Sequence, residues 1–271
     1  MVKVCKFYVL KKCNDPNCKF DHIDNICKFH FLGNCNHGNN CKFSHEYKLN
    51  ESNKFKNTES FKPSHKRADM RIMLGNPYQQ FYNRNVYSHD VILIPNLFCN
   101  EDDFNIYNEL LNEIKQTKKE DEGLWKLWHG DTHLIADDNL NWKNDCKTFC
   151  DLMDRLAEYF TMDIQATRLN WYRNSLEWKP FHHDAAAVKP HIAKKQNITV
   201  GVSFGATRDI AFQHANTKVE STFPLINGTT YAFGNQVNKD WRHGIPQLSP
   251  DEQHDDGRIS IIAWGKTNII E

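Results

Sequence analysis

His182 and Asp184 stand two residues apart near the end of a run from Asn170 to Asp184. On a strand that spacing sends both side chains to one face and His183 to the other. An imidazole beside a carboxylate supplies two of the three ligands of the facial set that holds non-haem Fe(II) while leaving coordination positions open. A His-x-Asp pair is common by chance, so its weight comes from residues further along the chain. His243 lies in the segment Trp241 to Pro246, and Arg258 opens the apolar run Ile259 to Trp264. An arginine entering such a run needs an anionic partner if it points inward. His191, His214 and His254 compete as a third ligand, but only His243 sits in a Trp-x-His-x-x-Pro setting after a glycine turn. A second set, His129, Asp131 and His133, is weaker because the downstream set is better ordered and zinc ligands are already provided elsewhere in the chain.

A different chemistry occupies the first 45 residues. Cys5, Cys13, Cys18 and His22 are followed by Cys27, Cys35, Cys41 and His45, a repeat with nearly the same gaps. Three thiolates and an imidazole close a tetrahedral zinc shell with no open position, so two structural ions are expected. Segments this short cannot bury a core, and the metal would supply their folding free energy. The repeat, with Lys-Phe between the third cysteine and the histidine of each copy, resembles the tandem CCCH zinc-finger family. That resemblance implies binding of single-stranded RNA, with unpaired bases stacked on finger aromatics. Phe7, Phe20, Phe29 and Phe43, with Tyr8 and Phe31, are the candidates, interleaved with lysines. The plainer alternative is that some of these rings only cover the zinc. His30 and His37 miss the ligand spacing and are read as exposed.

Charge follows the same division. Residues 1–67 hold 13 Lys and Arg against 6 Asp and Glu, although the whole chain is neutral. The basic arm is the part suited to phosphates. No apolar run is long enough for a membrane span, and the N-terminus lacks the apolar core of a signal peptide. Six of nine cysteines in metal spacings indicate a reducing, intracellular setting, cytoplasm or nucleus. Cys99, Cys146 and Cys150 are read as small buried residues.

The elements that must position the second set begin after a polar linker, 48–88, and the stretch 69–89 at its end reads equally as an arm packed on the next domain. Residues 90–95 read as a buried strand. Asn100 is predicted to cap a helix with Glu101, Asp102 and Asp103 in its first turn and Phe104, Tyr107, Leu111 and Ile114 inward. A second helix is expected over 143–160, with Phe149, Leu152, Met153, Leu156 and Phe160 on one face. The polar-aromatic stretch between the helices, 125–142, is either a lid or a hairpin. Beyond residue 164 short β runs alternate with turns: 165–172, 179–184, 197–204, 209–214, 229–233, 241–245 and 258–264. That spacing argues a sandwich or jelly roll, giving a mainly β fold with flanking helices over 89–271 and two small fingers over 1–47.

The ordered set Asn170-x-Tyr172, His182-x-Asp184, His243 and Arg258 resembles the AlkB family of Fe(II)/2-oxoglutarate dioxygenases, across roughly 90–271. The resemblance implies a double-stranded β-helix and makes His182, Asp184 and His243 the iron ligands. It places Arg258 on the distal carboxylate of 2-oxoglutarate, with Asn170 and Tyr172 hydrogen-bonding that cosubstrate and O2 completing the reaction. A planar guanidinium holds a carboxylate through a bidentate pair that lysine cannot reproduce. Two departures stand out. Trp264 occupies the place of a second arginine found in base-repair members, and Ala185 to Ala187 follow the ligand pair where carboxylates are usual. Oxidative demethylation or hydroxylation of a nucleic acid therefore rests on the linked fingers rather than on the pocket. The alternatives are a protein hydroxylase or demethylase, and an RNA-binding protein with a non-catalytic jelly roll.

Overall fold

The computed structural model describes residues 4–32, 35–46, 70–78, 85–130 and 132–271, and the chain divides into two compact units, Met1–Ser64 and His65–Glu271. In the first unit the sequence repeat becomes a structural one. Each copy opens with a one-turn helix directly after its first cysteine, α1 (Lys6–Val9) and α2 (Lys28–Phe31). Each closes through a parallel bridge beside its last ligand, Val4 to Asp21 and Ile26 to Ser44. Among the described residues of this unit only Cys5, Val9 and Cys27 are buried, so neither copy has an apolar core of its own.

The second unit is mainly β. Its described strands are β1 (Arg71–Leu74), β2 (Asp90–Ile94), β3 (Trp125–Leu127), β4 (Leu134–Ala136), β5 (Met162–Tyr172), β6 (Lys179–His182), β7 (Ile198–Gly205), β8 (Arg208–His214), β9 (Glu220–Leu225), β10 (Thr230–Gly234), β11 (Trp241–Ile245) and β12 (Arg258–Thr267). They form an eight-stranded sheet in the order β1-β2-β10-β7-β12-β5-β4-β3 and a four-stranded sheet in the order β6-β11-β8-β9. Only β1 and β2 run parallel among the described pairs. Two longer helices, α3 (Asn105–Gln116) and α4 (Lys147–Tyr159), cover one face of the large sheet.

Strand parity explains the layering. On β12, Ile259, Ile261 and Ala263 pack with Leu110, Ile114, Leu152 and Leu156 of the helices. Ile262 turns the other way, into a second cluster with Phe212, Tyr231, Phe233, Trp241 and Ile245. Arg258, Ser260 and Trp264 share the parity of Ile262 and so face the small sheet. Each fully buried Ile or Phe contributes about 1.5–3 kcal/mol, and these two cores flank a polar interior that would not hold together alone.

Several expectations change here. Of the two readings of 69–89, the described parts, 70–78 and 85–89, take the packed arm: β1 pairs with β2, and Arg71 forms a two-pronged pair with Asp90 at 2.6 and 2.7 Å. Residues 47–69 and 79–84 lie outside the described residues. Asn100 does not cap α3. Asn227 Nδ2 instead donates to the carbonyls of Asn100, Glu101 and Asp103, and Asp103 accepts from the Asn105 N–H, which holds 100–104 as a turn. The helix therefore starts at Asn105, its buried stripe is Leu110 and Ile114, and Phe104 is exposed. Cys150 is also exposed, while Cys99 and Cys146 are buried as expected. The stretch between the helices forms the β3–β4 hairpin on the edge of the large sheet. No helix among the described residues is long and apolar enough to cross a membrane.

Candidate metal centres and the cavity beside them

The eight predicted finger ligands converge in two groups, Cys5, Cys13, Cys18 and His22, and Cys27, Cys35, Cys41 and His45. The Sγ atoms of Cys5 and Cys18 lie 3.7 Å apart, and those of Cys27 and Cys41 3.6 Å. Ligands on one tetrahedral zinc with bonds of about 2.3 Å sit about 3.8 Å apart, so both groups fit the ion. The Nε2 atoms of His22 and His45 are buried and make no hydrogen bond, as an inward-facing ligand atom would. Each histidine is oriented by a stacked ring, Tyr8 on His22 at 4.1 Å and His30 on His45 at 3.9 Å. Tyr8 also donates to Asp24 at 2.7 Å, which ties it into the scaffold of the first copy. His30 and His37 are exposed, as expected, but His30 does the job in the second copy that Tyr8 does in the first. Phe7, Phe20, Phe29 and Phe43 remain 57, 43, 62 and 54 % exposed, so each ring keeps a large part of its surface available to solvent.

The second unit brings His182, Asp184 and His243 together. β6 and β11 pair with His182 directly opposite His243, and β6 ends there. Asp184 follows as the cap of a one-turn helix, α5 (Ala185–Val188). Its N–H donates to Asn238 Oδ1 at 2.9 Å and its Oδ2 accepts from Thr199 Oγ1 at 3.0 Å. The free oxygen, Oδ1, then faces His243 Nε2 at 3.6 Å and His182 Nε2 at 3.9 Å. His182 Nδ1 lies 3.0 Å from the Pro180 carbonyl, which fixes its proton there and leaves the Nε2 lone pair inward. Donors on one ion with bonds of about 2.0–2.2 Å lie roughly 3–4 Å apart. These three fit a divalent metal such as iron.

Burial pulls His182 down to about 2 and His243 to about 4. Burial alone would raise the Asp184 carboxyl, but beside two imidazoles it is held below the usual carboxylate range. All three donors are thus free of protons at neutral pH, the state that metal binding requires.

A small, partly open cavity adjoins the triad, lined by Asn170, Tyr172, Lys179, Tyr231, Ser260 and Trp264 as well as the three donors. Asn170 Nδ2 donates to the Ser260 carbonyl at 3.1 Å, so its Oδ1 takes the proton of His133 Nε2 at 3.2 Å. His133 stacks on Tyr172 at 4.6 Å. Arg258 is fully buried beneath that ring, with Cζ 5.1 Å from its centre. Its Nε donates to Ser203 Oγ at 2.8 Å. Nη1 and Nη2 are buried without a well-formed hydrogen bond among the described residues, and the groups beside them, Tyr172 and Tyr231, are neutral phenols. A buried guanidinium with no anion beside it is a strong demand for one. The Trp264 indole N–H is also buried and lies toward the Asp184 carboxylate.

Lys179 is the lining residue that spacing conceals. Three residues before His182, it should face the opposite side of a regular strand. Between His182 and Lys179, however, β6 holds one more residue than β11 does between His243 and Ile245, a bulge at Pro180 and Phe181. Proline, lacking an N–H, suits such a bulge. Gly244 lies opposite, where a Cβ would come within 2.6 Å of the Lys179 carbonyl oxygen and 3.0 Å of the Pro180 carbonyl carbon. Gly244→Ala is therefore expected to cost about 1–3 kcal/mol of stability. It should also lower Fe(II) affinity about 10–100-fold by disturbing His182 and His243 from behind. Thermal melts and an anaerobic Fe(II) titration measure the two effects.

Sequence reasoning misses Thr199, Ser203 and His133 as the groups that orient Asp184, Arg258 and Asn170. Spacing offers His133 only as a metal ligand. It supports Asn170 instead, with its partner candidate His129 exposed and Asp131 outside the described residues. His191, His214 and His254 stay outside the triad. No protein-family model matches the chain, and no curated protein matches it either.

Proposed function

We propose that the chain is an AlkB-like Fe(II)- and 2-oxoglutarate-dependent dioxygenase that oxidatively demethylates or hydroxylates a nucleic acid, brought to single-stranded RNA by two zinc-bearing CCCH fingers. The observation that carries this reading is one arrangement: two imidazoles and a carboxylate converge beside a cavity near a buried arginine that has no anionic partner among the described residues. The two facing sheets suit a jelly-roll reading of the same domain.

When bound, ferrous iron with 2-oxoglutarate and O2 supplies insertion of one oxygen into a substrate C–H bond, the cosubstrate leaving as succinate and CO2. His182, Asp184 and His243 would hold the metal on one face and leave the other open. Arg258 would hold the distal carboxylate of the cosubstrate, and Asn170 and Tyr172 would help to orient it. Apolar Ile210, Ile245 and Ile262 limit water in the cavity. Hydroxylation of an N-methyl carbon leaves a carbinolamine that collapses to formaldehyde and the free N–H. Offering methylated RNA, methylated DNA and methylated peptides and following formaldehyde release separates the substrate classes. Release from the peptides alone would sink the nucleic-acid reading.

The fingers carry their own test. Phe20→Ala with Phe43→Ala is expected to weaken binding of a single-stranded oligoribonucleotide at least about 10-fold, since each stacked base is worth about 1–3 kcal/mol. Zinc content should stay at two ions per chain, because neither residue belongs to the Cys and His groups that would hold the ions. Unchanged RNA affinity in this double variant would remove the stacking role.

A further inference from the structure

Lys179 lines the cavity, and the dioxygenase chemistry gives it no task. The fold nevertheless turns it inward by a bulge that depends on Pro180 and on the bare Cα of Gly244. Its Nζ lies 5.1 Å from the centre of the Trp128 ring and makes no ion pair among the described residues. Trp128 continues a run of rings: it stacks on His133 at 5.4 Å, His133 stacks on Tyr172, and Arg258 lies under Tyr172. Two cations thus terminate opposite ends of a three-ring run and offer two separate anion positions. Trp128 also meets the metal-facing His182 edge-on at 5.5 Å, so the Lys179 end belongs to the same chamber as the triad.

Charge decides which anion is missing. Ferrous iron, Asp184, Arg258 and a cosubstrate dianion are together neutral. Arg208, another buried cation nearby, donates both Nη groups to the carbonyls of Glu177 and Pro246. Lys179 has no anion in contact, and the one carboxylate that acts on it, Asp184, is the group facing the metal position, so a charge in this low-dielectric cavity stays costly until an anion arrives. The chain just beyond Asp184 repeats the sign. From Ala185 to Thr207 there is no acidic residue, and Lys189, His191, Lys194 and Lys195 are all exposed. A partner with one negative charge per unit and flat rings between the charges fits cations set beside aromatic walls.

Resting on the dioxygenase reading, we infer that Lys179 is a substrate-binding residue whose ammonium takes a backbone phosphate of a single nucleic-acid strand, apart from the cosubstrate anchor at Arg258. The test uses the full chain loaded with Fe(II) under anaerobic conditions, carrying Phe7, Phe20, Phe29 and Phe43→Ala so that finger stacking does not mask the second unit. The probes are an unmodified single-stranded oligoribonucleotide and 2-oxoglutarate. Lys179→Met is expected to weaken the oligonucleotide about 5–10-fold and to lower the slope of log affinity against log salt by about 0.7, one phosphate contact. It should leave 2-oxoglutarate affinity within about twofold, and Lys179→Arg should restore the slope. Lys194→Gln, at an exposed position that cannot disturb the core, should lower the slope by a like amount. Loss of 2-oxoglutarate affinity instead, an unchanged slope, or a loss seen with an acidic peptide but not with RNA would each overturn the assignment. Failure of the unsubstituted protein to bind 2-oxoglutarate would bring down the dioxygenase reading, while the salt slope would still decide about Lys179.

Discussion

Replacing Asp184 by Ala should remove iron-dependent conversion of 2-oxoglutarate to succinate, with turnover falling by more than the roughly 10–100-fold that loss of an outer hydrogen-bond partner brings. The reason lies in how Asp184 is held. Its N–H, its Oδ2 and its place at the head of α5 are all fixed by neighbours, so Oδ1 has one task, facing the two imidazoles. Without it His182 and His243 remain as two neutral donors with no charge to balance a divalent ion. Thr199→Val is the graded companion. It removes one hydrogen bond to Oδ2 and leaves the ligand set complete, so its effect should stay near 10-fold. Succinate formation with iron content measured on the same samples separates lost metal from lost chemistry. Equal turnover in Asp184→Ala and the unsubstituted protein would end the enzyme reading.

Arg258→Met should produce effects of opposite sign on binding and on stability. Cosubstrate affinity is expected to fall by about 30–1000-fold, the roughly 2–5 kcal/mol lost when one partner of a buried charge pair is removed. The ligand-free protein should melt at the same temperature or higher. Its guanidinium keeps one well-formed hydrogen bond, to Ser203, and buries Nη1 and Nη2 beside the neutral Tyr172 hydroxyl with no anionic partner. An apolar side chain of similar length gives up little there and removes a desolvation cost. An arginine with a purely structural role would behave the other way, its loss lowering the melting temperature and leaving 2-oxoglutarate alone. Arg258→Lys should not rescue binding, because a point charge cannot reproduce the fork. Melts with and without saturating cosubstrate report both effects, since a ligand that binds only the folded state raises the midpoint.

How much of this was legible in the sequence depends on how local each interaction is. The finger ligands were legible because a zinc shell is closed by short loops, so the gaps between Cys5 and His22 record the geometry directly. The triad was legible by residue type and order, and the structure places its members within reach of one ion. Arg258 could be suspected because charge in an apolar run is conspicuous. The supporting groups could not. Thr199, Ser203 and Ser260 look like ordinary strand residues, and only the pairing of β12 with β5 and β7 sets them around the cavity. Lys179 was hidden by parity, because a bulge reverses the face that counting assigns. β9 escaped notice for a related reason: Pro224 argues against a strand, and is tolerated here because β9 is the edge of the small sheet. The start of α3 was misplaced because Asn227, more than a hundred residues away, holds the apparent cap as a turn.

The most direct test is calorimetric titration of 2-oxoglutarate into the full-length protein without oxygen, once with Fe(II) bound at the His182, Asp184 and His243 site and once without it. One site per chain, with affinity that depends on the metal, is the expected result. Binding that is absent in both titrations, or the same in both, would contradict a metal and a dicarboxylate sharing this cavity.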